Sequence, residues 1–285
     1  MNQITMQVAA DDSPLATQPP AGTPVTETAS ARRRWKLRAE SLAWTVGSVG
    51  GGLLLWEIVA RLEWVNPLFL PRFSTVMSDL SDLFQSGAIW RHLSISGQEY
   101  GLGMLLATVV GVFFGLLMGV SSTLDKVLSP WVHGLNAVPR IAFAPVLIVW
   151  FGFGMGSKIA MVFIMAVFPI LLNTAVGAGT VDKRLTTMAD SFLFPQTLKF
   201  RALILPSSVP YILTGVRLGV ASGLIGVVVG EFFGSSAGVG YLLTNASYTF
   251  NSVRIFSMVV LLSVIGVALT TISKVVERRF DSWRQ

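Results

Sequence analysis

The chain has 285 residues, of which 52% are hydrophobic and only 13% are charged. Because soluble domains carry roughly 25% charged residues, this composition indicates a protein whose main solvent is lipid. The absence of cysteine excludes disulfides and thiolate metal sites. The net charge of +6 does not indicate nucleic-acid binding, since the charged residues flank apolar segments. No nucleic-acid partner is therefore expected.

Residues 1–41 are predicted to form a disordered N-terminal tail with a basic collar. Prolines among Ala, Thr and Ser run as far as Ser30 without apolar periodicity, which is typical of disorder. The segment Ala31–Arg38 that follows is strongly basic. A basic cluster before an apolar run also occurs in signal peptides, but here the preceding tail is long and no small-x-small cleavage site follows the run. We therefore favour an uncleaved first helix.

Residues 42–285 contain apolar segments that are expected to form an all-α integral membrane domain of six transmembrane helices. Each segment is long enough to cross a bilayer as a helix. The predicted spans cover residues of about 42–60, 101–120, 127–151, 158–176, 209–230 and 255–272. Glycines recur at four-residue spacing in the second and fifth spans, which predicts close helix packing.

Two connecting segments are too polar to cross the membrane. In the first, Asn66–Tyr100, the residues Phe73, Leu80 and Leu83 fall on one helical face, which predicts an amphipathic helix at the membrane surface. The second, Glu231–Arg254, is predicted to be a polar loop.

The third span is interrupted by polar residues and prolines, including Asn136, Pro139, Arg140 and Pro145. A proline removes a backbone donor, and such a break survives in lipid only where neighbours or a cavity satisfy the freed groups. A broken helix that lines a pathway and a kink repaired by packing are equally good interpretations. Arg140 is either functional at membrane depth or a snorkelling side chain. Arg217, within the fifth span, is predicted to face a pathway or the bundle interior.

The distribution of positive charge predicts the orientation of the spans. Six crossings place both termini on one side, and most of the 21 Lys and Arg residues lie on that side. Because cytoplasmic loops are enriched in Lys and Arg, both termini are predicted to be cytoplasmic. The polar loop 179–208, between the fourth and fifth spans, then also lies in the cytoplasm, where it can meet a soluble partner.

Motifs for catalysis and nucleotide binding are missing from the sequence. It contains no GxxxxGK[ST] P-loop, no HExxH, no GxSxG and no cluster of His and carboxylates with metal spacing. The carboxylates are dispersed, which weakens a proton-driven mechanism. We therefore expect that the chain is not an enzyme and holds no cofactor or metal.

Several sequence blocks resemble the permease subunits of bacterial ABC importers, in the binding-protein-dependent transport family. The loop ends in Leu203-Ile204-Leu205-Pro206, which is similar to the end of that family's motif, Glu-Ala-Ala, three residues, Gly, nine residues, Ile-x-Leu-Pro. Other blocks resemble the nitrate, sulfonate, taurine and bicarbonate branch. They are Pro139–Pro145 with Trp150–Gly154, Phe168–Thr174, Val209–Arg217, and Gly230-Glu231 with Gly238–Leu242. The resemblance extends from Trp44 to the C-terminus.

Two positions depart from the family motif. The family's acidic residue is Thr187 here, and the family's glycine, which allows a turn between two short helices, is Leu193. Pro195 is a candidate for making that turn instead. The fold expectation survives these changes, whereas the strength or choice of the ATPase partner stays open.

The resemblance implies a MetI-like permease bundle that other proteins drive. Separate ABC ATPase subunits would hydrolyse ATP, a periplasmic binding protein would deliver the solute, and a second permease copy, as a homodimer, would complete a pathway through the bacterial inner membrane. The implied solute is a sulfonate, a nitrate or a related small anion, or a small heterocycle. The residues assigned to the ATPase-coupling loop are Thr187, Ala189, Leu193, Lys199, Phe200, Arg201, Leu205 and Pro206. The pathway candidates are Pro139, Arg140, Asn173, Arg217 and Glu231.

Within the coupling loop, Phe200 and its apolar neighbours are expected to dock on the ATPase. Lys199 and Arg201 are either charges at the rim of that contact or residues that only set the membrane orientation.

The main alternative is a secondary transporter or channel that works without an ATPase. It is compatible with Arg140 and Arg217 inside the spans, but it predicts two halves with matching broken helices. No clear repeat is visible between residues 42–120 and 209–272. A membrane scaffold or an enzyme subunit is a second alternative, and the missing catalytic motifs disfavour the enzyme.

Overall fold

The computed structural model describes residues 27–280, and every regular element in that range is a helix. The chain divides into two compact units, Met1–Leu55 and Trp56–Gln285. In the first unit, the structure describes the N-terminal part of α1, Glu27–Arg61. This helix starts before the predicted basic collar, and the rest of the predicted tail, residues 1–26, lies outside the described residues.

The second unit contains long helices connected by short ones. The long helices are α3 (Ala88–Val120), α6 (Met155–Gly179), α9 (Leu205–Phe232) and α11 (Ser252–Phe280). The short helices are α2 (Phe73–Gln85), α4 (Ser122–Ala137), α5 (Ala144–Phe151), α7 (Lys183–Ser191), α8 (Gln196–Lys199) and α10 (Val239–Tyr248). A 3-10 turn, Arg140–Phe143, precedes α5, and a π-helical turn, Phe200–Ile204, joins α8 to α9.

Within residues 27–280, five helical stretches are long and apolar enough to cross a membrane. They are Ala43–Arg61, α3, α6, Gln196–Phe232 and Ser252–Arg279. Helix α4 and the segment Arg140–Phe151 qualify as a pair that is bent by 89°. Each predicted span overlaps one of these stretches, or the bent pair in the case of the third span, but the second and fifth helices begin earlier than their apolar segments, at Ala88 and Gln196. The reason is that a helix can continue through polar residues outside the lipid. Helix α3 begins only after Gly87, which adopts a φ of 74°.

Helix α6 lies between α3 and α9, and glycines make both contacts close. A Cβ on Gly115 of α3 would lie 2.6 Å from the Cβ of Thr174, and one on Gly177 of α6 would lie 2.5 Å from the Cβ of Tyr211. Neither position therefore has room for a side chain. The predicted glycine rows are packing surfaces, because small residues let helix backbones approach closely in lipid.

Helices α3 and α6 run in the same direction, which requires the chain between them to cross the bundle. Gly103 of α3 lies against Val162 of α6, and Gly119 lies against Ala178. The chain thus leaves α3 at one end of the bundle and enters α6 at the other. Helices α4 and α5 make the return, so the bent pair serves as one broken span in the place of the predicted third span.

A second apolar core forms where α2, α10 and α11 meet. Leu80 and Leu83 of α2 pack with Val239 and Met258, which confirms that this segment forms an amphipathic helix. The prediction of a polar loop after Glu231 is wrong in part, because α10 lies within it. Its apolar residues are too few to indicate a span, but they are buried by contact with other helices, which the local pattern does not show.

Candidate functional site

The segment between α6 and α9 consists of two short helices joined by a tight turn. Asp182 starts α7, because its Oδ1 accepts the backbone N–H of Arg184 at 2.8 Å. After α7, the N–H of Phe194 donates to the carbonyl of Ala189 at 2.9 Å and closes the turn. Leu193 lies in this turn with a φ of 56°, in the left-handed region that favours glycine. The turn expected at this position is therefore present, although leucine occupies it.

Many apolar side chains of this segment are exposed. We define them as the apolar face of the α7–α8 segment: Leu185, Met188, Phe192, Leu193, Phe194 and Leu198. Leu193 is the most exposed of them, at 89%. Apolar residues that cluster on a surface mark a site of interaction with another molecule.

Lys199 does not lie at the rim of this face, because its side chain is buried. Its ammonium group bonds to the carboxylate of Asp190 and ties α8 to the end of α7. The other predicted coupling residues differ in exposure. Those that are exposed are Thr187, Leu193 and Arg201, and those that are half-buried are Phe200, Leu205 and Pro206, while Ala189 is buried.

Arg140 lies at the break between α4 and α5 and reaches across to α6. Its Nη1 donates to the carbonyl of Met165 at 3.1 Å, and its Nη2 donates to Oδ1 of Asn136 at 2.7 Å. The Met165 carbonyl is available because Pro169, four residues later, has no N–H to donate to it. The guanidinium carbon also lies 5.6 Å from the centroid of the Phe168 ring.

These partners of Arg140 are all neutral. Within residues 27–280, no carboxylate forms an ion pair with its guanidinium. Arg140 lines an open cavity of about 310 Å³ together with Asn136, Pro139, Ile141 and Met165. Among the described residues, the cavity therefore carries a positive charge that no carboxylate pairs with.

Arg217 and Asn173 are not gathered around Arg140. Arg217 of α9 donates from Nη1 to Oε2 of Glu277 on α11 at 2.7 Å, and Oε1 of the same carboxylate accepts the O–H of Thr214 at 2.9 Å. Asn173 donates from Nδ2 to the carbonyl of Pro169 within α6, at 2.8 Å. Both side chains are thus bonded inside the chain.

Glu231, at the C-terminal end of α9, is buried beside two charged residues that the sequence reasoning missed, Glu99 and Lys158. Oε1 of Glu231 accepts the O–H of Ser96, and Oε2 accepts the N–H of Gly240 at 2.5 Å. In the sequence, only their positions at the edges of predicted spans could have drawn attention to these two residues. Glu99 lies just before the predicted second span, and Lys158 is the first residue of the fourth.

Comparison with known proteins agrees with this architecture. Residues 107–283 match the family model described as "Binding-protein-dependent transport system inner membrane component". SsuC of Bacillus subtilis (strain 168), a permease protein assigned to aliphatic sulfonates transport, is 33% identical over 232 residues, covering 81% of this chain and 84% of SsuC. The taurine transport system permease protein TauC of Escherichia coli (strain K12) is 27% identical over 255 residues, covering 88% and 92%.

A solved structure of the MetNI methionine ABC transporter, in an inward-facing conformation, has a similar fold. Its TM-score is 0.60 at 16% identity, and the match covers 67% of this chain and 95% of that one. The helical bundle is therefore that of the MetI-like permeases of ABC transporters. The chain belongs to the family of binding-protein-dependent transport system inner membrane components.

Family membership defines the general role of the chain. It is a multi-pass transmembrane permease subunit of an ATP-driven ABC importer and a transport subunit rather than an enzyme, as its relatives are. Its partners accordingly include ABC ATPase and substrate-binding protein subunits. The alternative of a transporter that works without an ATPase is not favoured.

Proposed function

We propose that this permease carries a small organic sulfonate and that Arg140 binds the sulfonate group on its way through the membrane. The observation that carries the proposal is a half-buried guanidinium, at the break in a span, whose hydrogen-bond acceptors are neutral. An ionisable group at this depth is costly unless it is paired or functional. An anionic substrate would supply the countercharge.

The chemistry of a sulfonate suits this site. SsuC and TauC are named for aliphatic sulfonates and for taurine, and these solutes carry a sulfonate group. A sulfonate is an anion with three acceptor oxygens, and the planar fork of a guanidinium can donate two parallel hydrogen bonds to such a group. A cavity of about 310 Å³ is within the size range of small-molecule sites. Pro139 borders the same cavity. In this proposal, Asn173, Arg217 and Glu231 do not bind the solute and instead hold helices in place through hydrogen bonds within the chain.

The apolar face of the α7–α8 segment is, in this proposal, the docking surface for the ABC ATPase. The bond between Lys199 and Asp190 holds α7 and α8 together, and α8 continues into one helical stretch, Gln196–Phe232. A displacement of the docked segment would therefore move α9, which packs along α6. Such a rigid connection can couple ATP-driven closure to the state of the bundle.

The orientation and assembly follow from the same proposal. The chain lies in the bacterial inner membrane with both termini and the α7–α8 segment in the cytoplasm, as the excess of Lys and Arg on that side indicates. Two copies form a homodimer around a shared pathway, and the open Arg140 cavity of each copy faces it.

Uptake by proteoliposomes tests the proposal, with the permease and its ATPase in the membrane and the binding protein outside. We expect ATP-dependent uptake of a radiolabelled alkanesulfonate. Arg140→Gln should lower the rate by about tenfold or more, because charge-assisted hydrogen bonds contribute roughly 1.5–3 kcal/mol. Arg72→Gln is the matched control, since it removes an exposed cation that pairs with Glu63, and its uptake should be normal.

Three results would contradict parts of the proposal. Equal uptake by wild type and Arg140→Gln would exclude the role of Arg140. Uptake of another solute without uptake of the sulfonate would exclude the substrate. Uptake that needs no ATP would favour a secondary transporter that works without an ATPase.

A further inference from the structure

Three charged side chains are buried together where α3, α6 and α9 meet. They are Glu99, Lys158 and Glu231, which are 3%, 2% and 1% exposed. Each of them interacts electrostatically with the other two. A buried ion costs several kcal/mol unless other groups compensate its charge, so the charge balance of this cluster matters for the fold.

Glu231 has the surroundings of an ionised carboxylate. It accepts the Ser96 O–H and the Gly240 N–H. The neighbouring amides at the start of α10 are bound close by: Oγ of Ser96 accepts the N–H of Val239 at 2.9 Å, and Nδ1 of His92 accepts the N–H of Gly238 at 3.0 Å. Donors that converge on a carboxylate favour its charged form.

Lys158 has the surroundings of an ammonium ion. Its Nζ donates to the carbonyls of Phe153 and Gly234. Since carbonyls only accept hydrogen bonds, they favour the protonated amine. One ammonium balances one carboxylate, so an ionised Glu99 would leave a second negative charge uncompensated in the protein interior.

Glu99 lacks the donors that Glu231 has. Its Oε2 is buried, and within the described chain no group donates a hydrogen bond to it. Ser96, which donates to Glu231, lies one helical turn before Glu99 on the same side of α3, so the side chains of Glu99 and Glu231 face the same site. Two ionised carboxylates cannot bond, because both are acceptors, whereas a protonated carboxyl can donate to an ionised one.

We propose that Glu99 and Glu231 hold one proton between them, with Glu99 as the carboxylic acid and Glu231 as the carboxylate. The O–H of Glu99 then donates to Glu231, which gives the orphaned oxygen a partner. Lys158 balances the remaining charge, so the cluster is neutral. The ligand of this site is a proton, and the site is separate from Arg140 and does not depend on the proposed substrate.

The other titratable groups near the pair are occupied elsewhere. On α3, His92 accepts from Gly238 and stacks on Tyr241 of α10, with ring centroids 5.9 Å apart. Tyr100, also on α3, donates its O–H to the carbonyl of Val220 at 3.1 Å. Lys158 is thus the cation of α6 that faces the carboxyl pair, and Glu231 is the acid of α9.

The bound proton has a structural consequence for α10. A Cβ on Gly240 would lie 2.9 Å from the Cβ of Glu231, so the start of α10 is packed directly on this carboxylate. A second negative charge at Glu99 would repel Glu231 and weaken its hold on the amides of α10. The proton is therefore a positioning element that keeps the α9–α10 connection attached to α3.

Infrared spectroscopy of the purified permease in lipid tests this inference. A protonated carboxyl has a C=O stretching band that is separate from the carboxylate bands and shifts in D₂O. We expect the band in the wild type at neutral pH and its loss in Glu99→Gln. The control Glu57→Gln, which removes a carboxylate paired with Arg61, should keep the band. Absence of the band from the wild type, or its persistence in Glu99→Gln, would overturn the proposal.

A second variant keeps the test decisive where Glu99→Gln does not fold. Lys158→Met removes the cation of the cluster, so both carboxyl groups should become neutral to avoid an unpaired buried charge, and the band should about double. An unchanged band in Lys158→Met would contradict the charge balance on which the shared proton rests.

Discussion

The two ends of helix α9 meet their surroundings in opposite ways. At its C-terminal end, the charged groups of Glu99, Lys158 and Glu231 are buried among protein atoms. At its N-terminal end, α9 continues from the α7–α8 segment, whose apolar side chains are exposed. The C-terminal end of α9 thus buries charged side chains, whereas the segment before its N-terminal end exposes apolar ones.

This difference indicates what each end can do. Buried charges are stable only when their partners stay in place, so the C-terminal end of α9 must keep one arrangement. Exposed apolar side chains gain free energy when another molecule covers them, so the N-terminal end is suited to a partner that binds and moves. Helix α9, packed on α6 along the glycine rows, connects the two.

Removing Glu231 should have the largest effect. Glu231→Ala leaves the donors of Ser96 and Gly240 without their carboxylate and removes a negative charge that acts on the buried Lys158, so we expect a loss of about 3–5 kcal/mol in the free energy of unfolding. Denaturant titration of the protein in detergent micelles measures it. Asp182→Ala is the matched change at the other end, where an exposed carboxylate caps α7, and it should cost only about 1 kcal/mol. Equal losses would remove the distinction between the ends.

The connection between the ends depends on close packing of α3, α6 and α9. Gly115→Ala should destabilise the protein by about 1–3 kcal/mol, because the new Cβ meets the Cβ of Thr174 at 2.6 Å. Gly101→Ala, on the same helix, places its Cβ in open space and should stabilise the helix by roughly 0.5–1 kcal/mol. Thermal unfolding of the two variants compares them, and a shift of the same sign in both would contradict the packing described for α6.

The apolar face should affect partner binding with little effect on stability. Under the proposed docking, the double variant Leu185→Ser with Met188→Ser should reduce co-purification of the ATPase by about tenfold, since two exposed apolar side chains no longer contribute to the contact. Its stability should change by less than about 0.5 kcal/mol, as for other surface substitutions. Tyr248→Ser, an exposed aromatic residue at the end of α10, is the control and should leave capture unchanged. Undiminished capture by the double variant would exclude this docking surface.

The smallest effect is expected at the turn of the α7–α8 segment. Leu193 holds a φ of 56°, which costs a residue with a Cβ roughly 1–2 kcal/mol. Leu193→Gly should relieve part of this cost, giving a gain of up to about 1 kcal/mol in local stability after the greater chain entropy of glycine is subtracted. Hydrogen exchange of the Phe194 amide, which closes the turn, should become slower. Leu193→Ala retains the cost and serves as the control, and equal exchange in both variants would show that the turn is not strained.

The helices that cross the membrane were largely predictable from the sequence. A span needs a local run of about 20 apolar residues, so its position can be read without knowledge of its neighbours. The amphipathic pattern of α2 could also be predicted from the sequence, because Leu80 and Leu83 recur at helical spacing. Helix α10 was missed, since its burial depends on α2 and α11 rather than on its own composition.

The polar contacts were less predictable than the helices. Glu99 and Lys158 looked like residues at the edges of two spans, and only the parallel packing of α3 on α6 brings them together. Lys199 looked like a surface charge, but the turn at Leu193 brings α8 back against α7 and buries it. In each case the partner is far along the chain or beyond a turn.

By itself, the sequence determined that this chain is a membrane-spanning permease with a polar segment between its fourth and fifth spans, because hydrophobic length and local motifs are properties of consecutive residues. Only the tertiary structure decided which charges are paired. It joins Arg217 to Glu277 and leaves Arg140 with neutral acceptors. The physical reason is that an ion pair depends on which helices lie side by side, and that depends on the packing of the whole bundle.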